Sequence, residues 1–112
     1  MVNKTILIGN LGADPEIKQI AGGNRVGKFN VAVTEKYKDS NGQKVENTTW
    51  FSCEVWNKMA DVVEKYLRKG SKVYIEGKMA VEKWKDENDQ TKIKYVVKVS
   101  ELKMLDVKKD ET

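Results

Sequence analysis

The sequence contains no histidine, one cysteine, one proline and two arginines in 112 residues. Each scarcity excludes something. Without histidine, the side chain that most often serves as general base or metal ligand is missing. The single thiol, Cys53, cannot form an internal disulfide framework and suits a reducing compartment. The acids do not gather in sequence as a metal or acid–base pair would. Asp14, Asp39 and Asp61 fall in a turn, a turn and a helix start, where carboxylates have structural uses. No catalytic residue, cofactor or metal site is therefore expected, and no enzyme. No apolar run approaches the ~20 residues needed to cross a bilayer. The opening Met-Val-Asn-Lys passes straight into a strand-like segment, without the apolar stretch and cleavage site of an export signal. The expectation is a soluble cytoplasmic protein with no membrane partner.

What is present suits one folded unit. With 39% hydrophobic and 34% charged residues the chain has material for one core and is too apolar for a disordered segment. One domain is expected over residues 1–106, followed by a short polar stub at 107–112. The net charge of +4 suits a polyanionic partner only mildly, because 17 acids accompany 21 bases. Ordinary solubility explains the same total, so the distribution of charge must decide.

Period-two alternation dominates the chain. Residues 4–9 are a short apolar run ending in glycine. In 29–34, Phe29, Val31 and Val33 alternate with Asn30, Ala32 and Thr34. In 50–56, Phe51, Cys53 and Val55 take the odd positions. Val73, Ile75, Gly77, Met79 and Val81 line one side of a fourth strand. Ile93, Tyr95, Val97 and Val99 line a fifth, with Lys92, Lys94 and Lys98 opposite. Polar or glycine-rich breaks at 12–15, 21–24, 39–42 and 86–90 read as turns. One segment has helical period instead: Met59, Val62, Val63, Tyr66 and Leu67 form an apolar stripe. Asn57 is placed to cap it and Gly70 to stop it, giving a helix of about 12 residues. Asp61/Lys65 and Glu64/Arg68 are spaced for i,i+4 ion pairs. Three strands, a helix and two strands is the order of a mainly β OB-fold, a five-stranded Greek-key barrel with its helix between strands three and four. A generic α+β sandwich would show the same order.

The third strand carries the most informative chemistry. If Phe51, Cys53 and Val55 enter the core, Trp50, Ser52, Glu54 and Trp56 point outward. Paired exposure of two tryptophans requires a ligand, an interface or a register slip that returns one of them to the core. Two more aromatics sit in basic brackets before turns: Tyr37 between Lys36 and Lys38, and Trp84 between Lys83 and Lys85. Single-stranded nucleic acid exposes bases whose flat faces stack on such platforms whatever the sequence, while ammonium groups track the phosphates. With only Arg25 and Arg68, the chain has no arginine-rich helix for reading duplex base edges.

Two motifs then carry a resemblance. Val2-Asn3-Lys4-Thr5-Ile6-Leu7-Ile8-Gly9-Asn10-Leu11-Gly12, followed by Asp14-Pro15-Glu16, resembles the opening of bacterial single-stranded DNA-binding (SSB) proteins. Tyr66-Leu67-Arg68-Lys69-Gly70-Ser71-Lys72-Val73-Tyr74-Ile75-Glu76-Gly77 resembles their helix exit and fourth strand. The resemblance runs from Val2 to about Leu105. It implies an OB-fold homotetramer that coats single strands in replication, recombination and repair. It further implies that Tyr37, Trp50, Trp56 and Trp84 stack on bases and that Lys4, Lys58, Lys69 and Lys83 meet phosphates; Lys36 and Lys85 join them from the brackets.

The chain departs from the resembled pattern in three places. Glu82 stands where a basic residue is usual, and Phe51 where a polar residue is often found near a subunit interface. The family usually continues through a flexible linker to an acidic tip ending in phenylalanine, which recruits replication and repair proteins. This chain reaches Asp110-Glu111-Thr112 instead, which implies a short or tail-trimmed form that coats DNA without tip-dependent recruitment. The rival reading is an OB-fold primosome-type adaptor whose exposed aromatics contact proteins.

Overall fold

Alternation in the first apolar run resolves into a strand, β1 (Thr5–Leu11), that buries Leu7 and Leu11 and turns Ile6 and Ile8 outward. It appears in a computed structural model that describes residues 1–106; the stub expected at 107–112 lies outside the described residues. The chain continues through β2 (Glu16–Gln19), β3 (Arg25–Lys38), β4 (Lys44–Trp56), α1 (Lys58–Tyr66), β5 (Lys72–Lys85) and β6 (Thr91–Met104). The sheet order is β1-β5-β6-β4-β3-β2, and a further β1–β3 pairing closes it into a barrel. β1 runs beside β5 from Thr5 to Asn10 and meets β3 at Asn10 and Leu11. Gly9 sits at this crossing, where a side chain would strike the Ala32 carbonyl.

The expected strand count was five, and β2 is an addition to it. From Leu11↔Val31 to Glu16↔Lys28 the chain advances five residues on one side against three on β3. Two extra residues are absorbed in a bend at 12–15, so β1 and β2 act as two halves of one first strand. Glu-Ile-Lys-Gln, with only Ile17 half-buried, has too little alternation to be read. Counted this way the barrel is the five-stranded OB-fold, with α1 between its third and fourth strands.

The core joins Leu7, Leu11, Phe29, Val31, Cys53, Val55, Val73, Ile75 and Val97 to Ala60, Val63 and Leu67 from the helix segment. Each fully buried aliphatic side chain contributes about 1.5–3 kcal/mol. The helix is shorter than expected: it spans nine residues, and Leu67 is already extended at φ −101°, ψ 140°. Its buried side also differs from the expected stripe. Ala60, Val63 and Leu67 are buried and Met59 partly so, while Val62 and Tyr66 face solvent. The expected i,i+4 ion pairs are replaced as well. Asp61 and Glu64 both engage Arg25 across the chain, and Arg68 donates to the backbone carbonyls of Glu64 and Leu67 at 2.7 Å each.

Beyond the barrel the β3–β4 and β5–β6 ladders continue as two-stranded arms, to Lys38↔Lys44 and Lys85↔Thr91. The tips share one construction. Asp39 Oδ1 accepts the N–H groups of Asn41 and Gln43, and Asp86 Oδ1 those of Asn88 and Gln90, at 2.9–3.0 Å. In the arms the alternation still holds but nothing lies beneath it. Ile93 and Tyr95, expected to line the core, are therefore exposed, as is Val81; on β6 the buried pair is Val96 and Val97.

Candidate nucleic-acid interface

The outward side of β4 carries Trp50 and Trp56, about 20 Å apart by strand rise and 58% and 42% exposed. No register irregularity interrupts β3–β4 between them, so the expected parity holds for both. Each ring has its own support. Trp50 lies over Gly12 in the bend between β1 and β2, and any Cβ at Gly12 would collide with the outer atoms of its six-membered ring. Trp56 ends β4, where the backbone is clamped across to β3. Asn57 N–H donates to the Arg25 carbonyl at 2.8 Å, and Asn57 Oδ1 accepts the Arg25 N–H at 3.0 Å. That use of Asn57 replaces the helix-capping hydrogen bond expected of it. Trp84, 49% exposed, stands on the outward side of the β5–β6 arm opposite Lys92.

Tyr37 is equally open, at 53%, but is offset by an odd number of residues from Ala32, the partner of Trp50. Alternation therefore turns it to the other side of its arm, the side of Val45. It lines a hollow of about 460 Å³ with Lys36, Lys38, Lys44, Val45 and Glu46.

The outward side of β4 is not uniformly wet, as the alternation predicted. Glu54, between the tryptophans, is only 3% exposed. Both of its oxygens accept from Lys98 Nζ at 2.9 Å, and the two residues are register partners on β4 and β6. A carboxylate can be buried here because the ammonium is delivered to it. On the inward side, Cys53 is sealed in the core, and burial pushes its thiol up to about 12.

The expected lysines divide into groups. Lys58 follows Trp56 by two residues at the start of α1 and is exposed. Lys69 is exposed on a loop whose backbone binds the bend beneath Trp50: Lys69 N–H donates to Asp14 at 2.7 Å and Gly70 N–H to the Leu11 carbonyl at 2.8 Å. Lys36, Lys83 and Lys85 lie exposed on the arms, and Lys85 approaches Asp89 at 3.5 Å. Lys4 is separate. It pairs with Glu76 at 2.9 Å, eight residues and about 26 Å along β5 from Trp84. There the Tyr74 hydroxyl, donating at 2.7 Å, and Lys4 hold the Glu76 carboxyl below its usual range. Gly12 and the Glu54–Lys98 pair are parts of this face that the sequence reading missed. A glycine at a strand end does signal close approach, but the partner of Glu54 lies 44 residues away. Among the described residues, no three His, Cys, Asp or Glu side chains come together to hold a metal.

Comparison with known proteins agrees with this geometry. The model of the "Single-strand binding protein family" matches residues 2–105. Single-stranded DNA-binding proteins from two Neisseria meningitidis strains, of serogroups A and B, are each 39% identical over 104 residues. That is 93% of this chain but 60% of theirs, so the chain spans less than two thirds of these relatives. Among solved structures, the Plasmodium falciparum SSB complex with ssDNA superposes with a TM-score of 0.87 at 35% identity, covering 95% of this chain and 97% of that one. A deletion mutant of the single-stranded DNA binding protein from Thermus aquaticus, at 23% identity, shares the fold with a TM-score of 0.81, covering 96% of this chain and 52% of its own. An OB barrel with exposed tryptophans on its outward strand faces, matched along nearly its whole length, belongs to the single-strand binding protein family.

Proposed function

We propose that this chain binds and protects single-stranded DNA without reading its sequence, acting as a homotetramer in replication, recombination and repair. The observation that carries the reading is the exposure of Trp50, Trp56 and Trp84 on outward strand faces of a barrel from this family. Stacking is sequence-tolerant because every base has a π-face, and each stacked base contributes roughly 1–3 kcal/mol. Lys58 and Lys69 flank the β4 tryptophans, while Lys36, Lys83 and Lys85 place further ammonium groups along the arms. Tyr37 and Lys4 belong to the reading through the resemblance; their positions call for a strand that wraps the barrel. The setting is the cytoplasm at the nucleoid, and no catalytic step, cofactor or metal is assigned.

The test is quenching of tryptophan fluorescence by oligo-dT at several salt concentrations. Log affinity should fall linearly with log salt, with a slope near −0.7 per phosphate neutralised, and stacking should preserve binding at high salt. Loss of all binding by modest salt would mark a nonspecific basic surface. Absence of quenching at any salt would favour the adaptor, in which the same aromatics meet protein.

A further inference from the structure

Between the β4 tryptophans and Trp84 the outward face sets two acids, Glu54 and Glu82, among its lysines. Glu54 occupies two donors of Lys98, and the same Nζ lies 3.6 Å from Glu82 Oε2, so one ammonium serves two carboxylates. Glu54 is sealed, while Glu82 is 39% exposed and stands two residues from Trp84 on the same side of β5. Across the ladders, Lys28 is the register partner of Glu54, Lys94 that of Glu82 and Lys78 that of Lys98; all three are exposed. Cations with no ion pair among the described residues therefore surround a centre whose own cation, Lys98, is already engaged.

We infer that Glu82, held over Lys98, is a specificity-determining residue: it repels phosphate from the centre of the face, so that only a strand presenting bases inward fits between the tryptophans. This rests on the single-stranded DNA reading above. Discrimination of this kind comes from a repulsive element against the wrong partner as much as from attraction to the right one. A bare polyanion placed on the centre would meet the Glu82 carboxylate with no free donor on Lys98. A strand turned bases-inward puts stacking surface there and leaves its phosphates to the flanking lysines.

The experiment compares oligo-dT with an abasic deoxyribose-phosphate oligomer of equal length, using the wild-type chain, Glu82→Gln and Glu101→Gln. Glu82→Gln keeps the side-chain shape and removes the repelling charge; Glu101→Gln makes the same change in net charge at an exposed site at the other end of β6. Thermal melts establish that each variant is folded. Glu82→Gln should raise affinity for the abasic oligomer about fivefold or more and for oligo-dT much less, with Glu101→Gln moving the two together. If Glu82→Gln shifts both ligands equally, or no more than Glu101→Gln does, the inference is overturned while the DNA-binding reading stands. If the wild-type chain fails to bind oligo-dT, the DNA-binding reading itself fails, and the inference with it.

Discussion

An indole left in water is unfavourable unless something covers it, and here three are left open while aliphatics, Phe29 and a thiol fill the core. Truncating any of the three should therefore separate binding from folding. Trp50→Ala, Trp56→Ala and Trp84→Ala should each weaken oligo-dT binding by roughly 1–3 kcal/mol with little change in Tm. A large Tm loss with unchanged affinity would show that these rings belong to the core. Gly12→Ala should act on the same site indirectly, because its methyl group displaces the Trp50 ring; a smaller affinity loss than that of Trp50→Ala, with a shifted emission maximum, is the expected readout. Cys53 gives a prediction of opposite kind. Its folded thiol titrates near 12 against an ordinary 9.0, so the folded state holds the proton more tightly. The stability this confers is complete below about pH 9 and is lost as pH rises toward 12. Alkylation at pH 8 should accordingly wait for unfolding, and rapid labelling of the native protein would contradict the burial. The tryptophan pair on β4 and the inward thiol were legible from alternation alone. Burial of Glu54 was not, since parity reports which side a residue takes but not what a distant strand brings to cover it.

At the level of elements, the helix shows how a correct period can mislead about depth. Its stripe located the segment, yet the barrel accepts only the strip containing Ala60, Val63 and Leu67. Leu67→Ala should cost about 2–5 kcal/mol, whereas Val62→Ala, on an exposed position, should stay within about 0.5 kcal/mol. Equal losses from urea melts of the two variants would restore the broader stripe. The arms illustrate the converse. Asp39 and Asp86 mark their tips in the sequence because a carboxylate two and four residues before free N–H groups closes the same turn twice. How far the ladders outrun the barrel is absent from the alternation, which continues through Ile93 and Tyr95 as though a core lay beneath them.

The whole molecule presents surfaces that one barrel leaves uncovered. Among the described residues β2 ends the sheet order with one edge unpaired, and Ile6 and Ile8, about half exposed, face outward from β1. Free edges and apolar faces of this kind are what subunit contacts cover, consistent with the proposed homotetramer of dihedral symmetry. Light scattering at micromolar concentration should give four times the 12.8 kDa chain mass; a monomeric mass would remove the assembly from the proposal.

Sequence by itself determined the local content: the alternating strands, the position of the helix, the turns, the outward tryptophans and the family motifs. These are properties of neighbouring residues, so periodicity and turn chemistry report them directly. Tertiary structure alone decided that Gly12 supports Trp50, that Lys98 neutralises buried Glu54, that Arg25 draws the helix acids away from their i,i+4 partners, and that Tyr37 turns from the β4 tryptophans. Each depends on which distant strands the closing barrel sets side by side, and on where that barrel stops. Neither is encoded in any window of the chain short enough to show a period.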